Sequence, residues 1–219
     1  MKRIFIGLYC LFASSCGWAI QLSPMFHLLD AAGSRSMNSY QVFNPSSSDV
    51  YMEVKVMRIS GSTSAPADDD FLILPPQGRI APNSAQRFRI RYLGDMPEKT
   101  TLYRVIFEQI NPTGSSEEES GSVKLLFKFS TSVMVSPLDC DSNLNASIAS
   151  QKIRFLNTGN CVFDMTATRF EMSGNSGSTV VNWDDFKSGA GGYLMPGINV
   201  SLKLPDNLAD YQEVKVIGQ

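Results

Sequence analysis

Few residues in this chain have types and spacings suited to chemistry. The candidates are a single histidine, a run of aspartates, a column of arginines and four cysteines. Nucleophilic catalysis of the Ser-His-Asp kind needs a histidine beside the nucleophile. His27 stands between Phe26 and Leu28 on an apolar stretch, so it reads as a packed or edge-exposed side chain rather than a catalytic one. Asp68, Asp69 and Asp70 are consecutive, whereas a calcium loop spaces its oxygen ligands apart and turns on a glycine; they read as loop surface. Arg87, Arg89 and Arg91 alternate with Phe88, Ile90 and Tyr92, which puts the three guanidinium groups on one face of a strand. With no glycine-rich phosphate loop nearby, that face reads as solvated or ion-paired. Two carboxylates placed for glycoside hydrolysis give no pairing signal. The residues point to no enzyme, no metal and no cofactor.

The cysteines carry the clearest covalent chemistry. The chain begins MKRIFIGLYCLFASSCGWA, with Lys2 and Arg3 ahead of an apolar stretch from Ile4 to Ala13 and a small-x-small ending at Gly17-Trp18-Ala19. This is the pattern of a secretory signal, too short to span a bilayer as a helix, with cleavage expected after Ala19. A rival reading makes Cys16 a lipid-bearing first residue. Cys10 and Cys16 leave with the signal, so Cys140 and Cys161 are the mature pair. Two cysteines in a small exported domain usually join, and a zinc site would need two more soft ligands. A disulfide between them would contribute roughly 3 kcal/mol. The whole chain carries 19 Lys and Arg against 21 Asp and Glu, and loss of Lys2 and Arg3 makes it more acidic. Such a balance leaves no basic field for nucleic acid or an anionic membrane, and no second long apolar run suggests stable membrane insertion.

The elements that must position these groups are strands. Gln21 to Leu29, Met37 to Phe43, Val50 to Ile59, Phe71 to Leu74, Gln86 to Tyr92 and Leu102 to Ile110 are short alternating or apolar segments separated by Gly, Pro, Asn and Asp. Gly61 to Asp70 reads as a loop, and Asn111 to Gly121, with Glu117-Glu118-Glu119, as a polar hairpin tip. The longest stretch is Ser122 to Pro137. Val123, Leu125, Phe127, Phe129, Val133 and Val135 fall on alternate positions with Thr131 the one break, while Lys124, Leu126, Lys128, Ser130, Ser132 and Met134 line the other face. That is the period of a β-strand, far longer than the usual 5–6 residues. It serves either as a core strand of a sandwich or as an edge strand offering an apolar row to another protein.

Seven strands at regular spacing without a helix indicate an immunoglobulin-like sandwich. Pro137-Leu138-Asp139 ends it. Strands at Lys152–Leu156, Val162–Phe170, Thr179–Trp183, Asn199–Leu204 and Glu213–Ile217 then make a smaller β-sandwich or barrel. The expected division is residues 1–19 as signal, 20–136 as the first domain and 137–219 as the second.

Several segments together resemble the periplasmic chaperones of the chaperone–usher pilus pathway, the PapD-like family. They are FLILPPQGRIAPNSAQRFRIRYLG (Phe71–Gly94), LYRVIFEQI (Leu102–Ile110) and the long strand that follows. LNTGN (Leu156–Asn160) and YLMPG (Tyr193–Gly197) are similar to turns of the second domain in the archaic or alternate branch. The resemblance implies an all-β protein of two immunoglobulin-like domains in a boomerang arrangement. It also implies a chaperone that holds pilus subunits by donor-strand complementation, in the periplasm, for delivery to an outer-membrane usher. The lent row would be Val123, Leu125, Phe127 and Phe129, whose burial would yield roughly 6–12 kcal/mol before costs.

Better-known members hold the subunit's C-terminal carboxylate with an arginine on the first strand and a lysine on the last. No arginine lies between Gln21 and Leu29, so the candidates are Lys128, Lys124 and Arg35. The alternative in another class is a secreted pilus subunit or immunoglobulin-like adhesion protein.

Overall fold

A computed structural model describes residues 19–111, 126–175, 177–186 and 191–218. Alternation governs the first half. The strands are β1 (Gln21–Ser23), β2 (Phe26–Asp30), β3 (Met37–Asn44), β4 (Val50–Ser60), β5 (Thr63–Pro66), β6 (Phe71–Leu74), β7 (Gln77–Ile80), β8 (Ser84–Tyr92), β9 (Thr101–Ile110) and β10 (Lys128–Ser136). They form one sheet in the order β1-β3-β8-β6 and another in the order β2-β10-β9-β4-β5, with β7 also paired to β4. Tyr40, Val42, Phe88 and Ile90 of the first sheet meet Val54, Val56, Val105, Phe107, Val133 and Val135 of the second in one buried core. Tyr40 and Phe88 both approach the Phe107 ring edge-on, with centroids 5.2 and 5.5 Å away, the geometry that the ring quadrupoles prefer. Arg87, Arg89 and Arg91 all face solvent, as the period of 2 requires.

The second half continues with β11 (Leu144–Ala149), β12 (Lys152–Asn157), β13 (Phe163–Asp164), β14 (Arg169–Gly174), β15 (Gly177–Asn182), β16 (Tyr193–Leu194), β17 (Asn199–Lys203) and β18 (Tyr211–Val216). Its sheets run β11-β12-β17, β13-β16 and β15-β14-β18. They enclose a separate core in which Phe155 packs on Phe170, Trp183 and Phe186. The protein is all-β, with two immunoglobulin-like domains.

Three strand expectations change. Gln21 to Leu29 is two strands in two sheets, β1 on β3 and β2 on β10. The break comes at Pro24, which has no N–H to give a ladder. Val162 to Phe170 is also interrupted, because the Asp164 carboxylate accepts from the N–H groups of Thr166 and Ala167 and from the Thr166 hydroxyl. That local turn competes with the sheet. The supposed loop Gly61 to Asp70 contains β5, paired to β4 from Met57 to Ser60. The sequence of the loop is too polar to announce a strand, and β4 supplies the pairing.

Cys140 and Cys161 form a disulfide with their Cα atoms 5.5 Å apart. Alkylation of unreduced exported protein is therefore expected to label neither residue; two labelled thiols would contradict the pairing.

Candidate functional site

The apolar row of the long strand divides in two. Thr131, Val133 and Val135 are fully buried in the first core. Phe127 and Phe129 lie on the same face but are only half-buried, packed against the margin of that core. Their rings stack parallel, 6.3 Å between centroids and 10° between planes. Val123, Leu125 and Lys124 lie outside the described residues.

Backbone pairing changes at the same place. On one side β10 pairs with β9 along its whole length, Lys128↔Glu108 through Val135↔Thr101. On the other side the parallel partner β2 covers only Ser132 to Ser136. The Phe127 carbonyl accepts from Gln109 N–H, and Ser132 N–H donates the other way, to the Met25 carbonyl. Antiparallel alternation then aims the N–H and C=O groups of Lys128 and Ser130 at the side that β2 does not reach. Among the described residues this is an open strand edge beside a half-buried aromatic pair. An edge of that kind accepts another strand, and natural proteins rarely leave one uncovered without a use.

The outward face of the same sheet adds apolar surface that the sequence reading did not single out. Met134 stands beside Leu28 on β2 and opposite Leu102 on β9, and Leu102 stands opposite Ile59 on β4. None of these four is fully buried. The Phe26 ring continues the surface and meets Tyr193 of the second domain at 4.9 Å. The alternation of β9 and β4 put these residues on one face, but only the strand order shows that they form one row.

The two cationic candidates among the described residues, Lys128 and Arg35, stand in different places. Lys128 lies on the face opposite Phe127 and Phe129, with Nζ 3.7 Å from Glu108 Oε1. Lys55 Nζ approaches the other oxygen of Glu108 at 3.6 Å and Glu53 Oε2 at 2.6 Å. The Lys55 bond holds the Glu53 carboxyl below its usual range, and that bond in turn raises Lys55. Arg35, on the turn after β2, makes a forked pair with Asp30, Nε to Oδ2 at 3.0 Å and Nη2 to Oδ1 at 3.1 Å. It lines a cavity of about 280 Å³ with Leu28, Asp30, Ser136, Leu138 and Val162. Lys128 and Ser136 are the two ends of β10, separated by roughly 26 Å at about 3.3 Å per residue. The fold does not bring Lys128 and Arg35 together.

His27 is buried, with its Nε2 donating to the Ser39 carbonyl at 3.1 Å and its ring edge-on to Tyr40. It bridges the two sheets. Burial lowers its pKa, against the opposing effect of the Ser39 bond, so the folded state favours the neutral ring. Stability linked to His27 is present in full above the unfolded value near 6.5. It falls as pH drops below that value towards the lower folded pKa, and levels off beneath it. Because His27 is the one histidine of the chain, the urea midpoint should fall more between pH 7.5 and pH 5.5 in wild type than in His27→Gln. Equal falls in the two proteins would remove His27 as the source. Among the described residues no group of three His, Cys, Asp or Glu side chains is placed to hold a metal.

Residues 27–140 match the family model described as "Pili and flagellar-assembly chaperone, PapD N-terminal domain". No curated protein matches the chain. Among solved structures, the class 5 fimbriae chaperone CfaA superposes with a TM-score of 0.62 at 15% identity, over 92% of each chain. The structure of the Salmonella enterica SafA pilin in complex with the SafB chaperone matches at a TM-score of 0.56 and 17% identity, over 92% of this chain and 97% of that one. The CsuC-CsuE chaperone–tip adhesion subunit complex of archaic Csu pili from Acinetobacter baumannii matches at 0.50 and 12%, over 84% and 89%.

Proposed function

Because the chain belongs to the pili and flagellar-assembly chaperone family, we propose that it captures pilus subunits in the periplasm by lending them the open edge of β10, then passes them to an outer-membrane usher. The observation that carries this reading is the change along β10 from a covered core strand at Ser132–Ser136 to an edge at Lys128–Thr131 that no described residue covers. A subunit lacking one strand pairs its backbone with Lys128 and Ser130, while Phe127 and Phe129 fill its apolar groove. Val123 and Leu125 continue the row by sequence. Burial of each such side chain is worth about 1.5–3 kcal/mol before the costs of association.

The first domain is taken as residues 20–136, the second as 137–219, and residues 1–19 as the export signal. For the subunit's terminal carboxylate, the position of Arg35 favours it over Lys128. Arg35 stands at the end of β10 next to the second domain, beside a cavity large enough for a chain terminus. Lys128 lies within the lent segment and already faces Glu108. A carboxylate entering the cavity would share the Arg35 fork with Asp30. Arg35→Ala is therefore expected to weaken capture with little change in melting, since an exposed ion pair contributes under about 1 kcal/mol to folding. Unchanged capture would remove Arg35 from the site.

The reading as a whole is tested by periplasmic co-expression with the products of neighbouring genes, followed by size-exclusion chromatography. A chaperone yields a discrete one-to-one complex with one of them. A protein that polymerises with itself, or meets every product without forming a complex, refutes the assignment.

A further inference from the structure

The LNTGN segment, so far a mark of family resemblance, sits where the two domains meet. Asn157 is fully buried, and its side-chain amide donates to the carbonyls of Cys161 and Leu194, which ties the turn to the YLMPG segment. Its Oδ1 accepts from Gly159 N–H. One side of the turn holds the interdomain linker. The N–H groups of Thr158, Asn160 and Cys161 donate to the carbonyls of Asn143 and Asp141, and the Asn160 amide bonds Asp139 O and Asp141 N. A Cβ on Gly159 would fall 2.1 Å from the Asp141 carbonyl, so only glycine lets the linker lie this close. The disulfide closes the same junction.

On the other side of the turn, Thr100 supplies the hydrogen bonds to the first domain among the described residues. Thr100, buried just ahead of β9, donates its N–H to the Asn160 carbonyl at 2.8 Å. Its Oγ1 accepts from Val162 N–H at 2.9 Å and lies 2.9 Å from Ser136 Oγ at the end of β10. Every member of this set is uncharged. All ion pairs among the described residues lie within the first domain. The aromatic contact of Phe26 on Tyr193 is apolar and weakly directional, so it tolerates sliding. Hydrogen bonds require both distance and angle.

We propose that Thr100 and the Asn157–Val162 turn form a neutral hydrogen-bonded lock that sets the orientation of the two domains, and that Thr100 is its positioning residue. Thr100→Val keeps the shape of the side chain but cannot accept from Val162 or bond Ser136. Thr100→Ser keeps both bonds. The lock holds without charge, so salt leaves it unchanged. Its consequence for subunit capture rests on the chaperone reading, whereas its geometry is measured without any subunit.

The test uses the full mature chain with spin labels on non-natural side chains at the exposed positions Arg87 and Lys215, which leaves the disulfide intact. Wild type and Thr100→Ser should give one narrow distance distribution, the same in dilute buffer and in about 1 M salt, where charges are screened beyond about 3 Å. Thr100→Val should give a broadened and shifted distribution, with the melting of the first domain retained. Asn160→Ala, which frees the linker side of the turn, should do likewise and makes the same comparison if Thr100→Val does not fold. Distributions as narrow as wild type in Thr100→Val and Asn160→Ala would overturn the lock, and broadening of wild type by salt would overturn its neutral character. If the distances behave as expected but no subunit is ever captured, the lock stands and the chaperone reading fails.

Discussion

Phe127→Glu is expected to abolish capture of a pilus subunit while leaving a folded protein. Phe127 is half-buried, at the margin of the first core rather than inside it. A glutamate there can turn its carboxylate to water, so the loss of stability should stay below about 2 kcal/mol. In the proposed complex the same side chain must enter an apolar groove. The loss combines about 1.5–3 kcal/mol of burial with the cost of desolvating a carboxylate or shifting its pKa, which is several kcal/mol more. At 1.4 kcal/mol per factor of ten, affinity should fall by a factor on the order of 1,000 or more. The measurement is a melting curve beside a pull-down with the co-expressed subunit. Normal capture by a folded Phe127→Glu protein would remove the row from the binding site. Unfolding of both Phe127→Glu and Phe129→Glu would make this part of β10 a core strand.

Val133→Glu should behave in the opposite way, although it lies on the same face six residues further along. Val133 has no solvent exposure, and β10 is paired there on both sides, to Tyr103 and to His27. A carboxylate at that point is buried, and the His27 imidazole beside it is itself held towards the neutral form by burial. A loss above about 4–5 kcal/mol is expected, a large part of the 5–15 kcal/mol that holds a typical domain together. The variant should fail to accumulate, or melt far below wild type. Val133→Ala leaves only a cavity and should cost about 1–3 kcal/mol. A Val133→Glu protein that melts like wild type would show that the burial described for β10 is incorrect. Together the two substitutions locate the point on one strand where fold gives way to binding surface.

Much of this was open to a reader of the residues. The period-2 pattern of Gln86–Tyr92 shows which side chains face inward, because alternation is a property of the extended backbone and needs no partner. The cysteine pairing is expected from the sequence, and the structure joins Cys140 to Cys161. His27 reads as packed or edge-exposed from its two apolar neighbours, and the structure shows it buried and spanning the sheets. The Phe71–Gly94 and Leu102–Ile110 segments, with the LNTGN and YLMPG turns, carry the family resemblance.

What remained closed is everything that depends on a second segment arriving. The row from Val123 to Val135 looks uniform in sequence, yet Val133 is core and Phe127 is margin, because β2 ends its pairing at Ser132. The length of β2 is limited by Pro24, more than a hundred positions away. Lys128 and Arg35 were comparable candidates by residue type, and only the fold puts one within the edge segment and the other beside the second domain. Thr100 carried no signal at all: a threonine before a strand is ordinary until the carbonyl of Asn160 and the N–H of Val162 are brought to it. Local geometry is encoded residue by residue through sterics and polarity. The choice of which edge is covered and which hydroxyl is partnered depends on contacts between distant segments, and those exist only once the chain has folded.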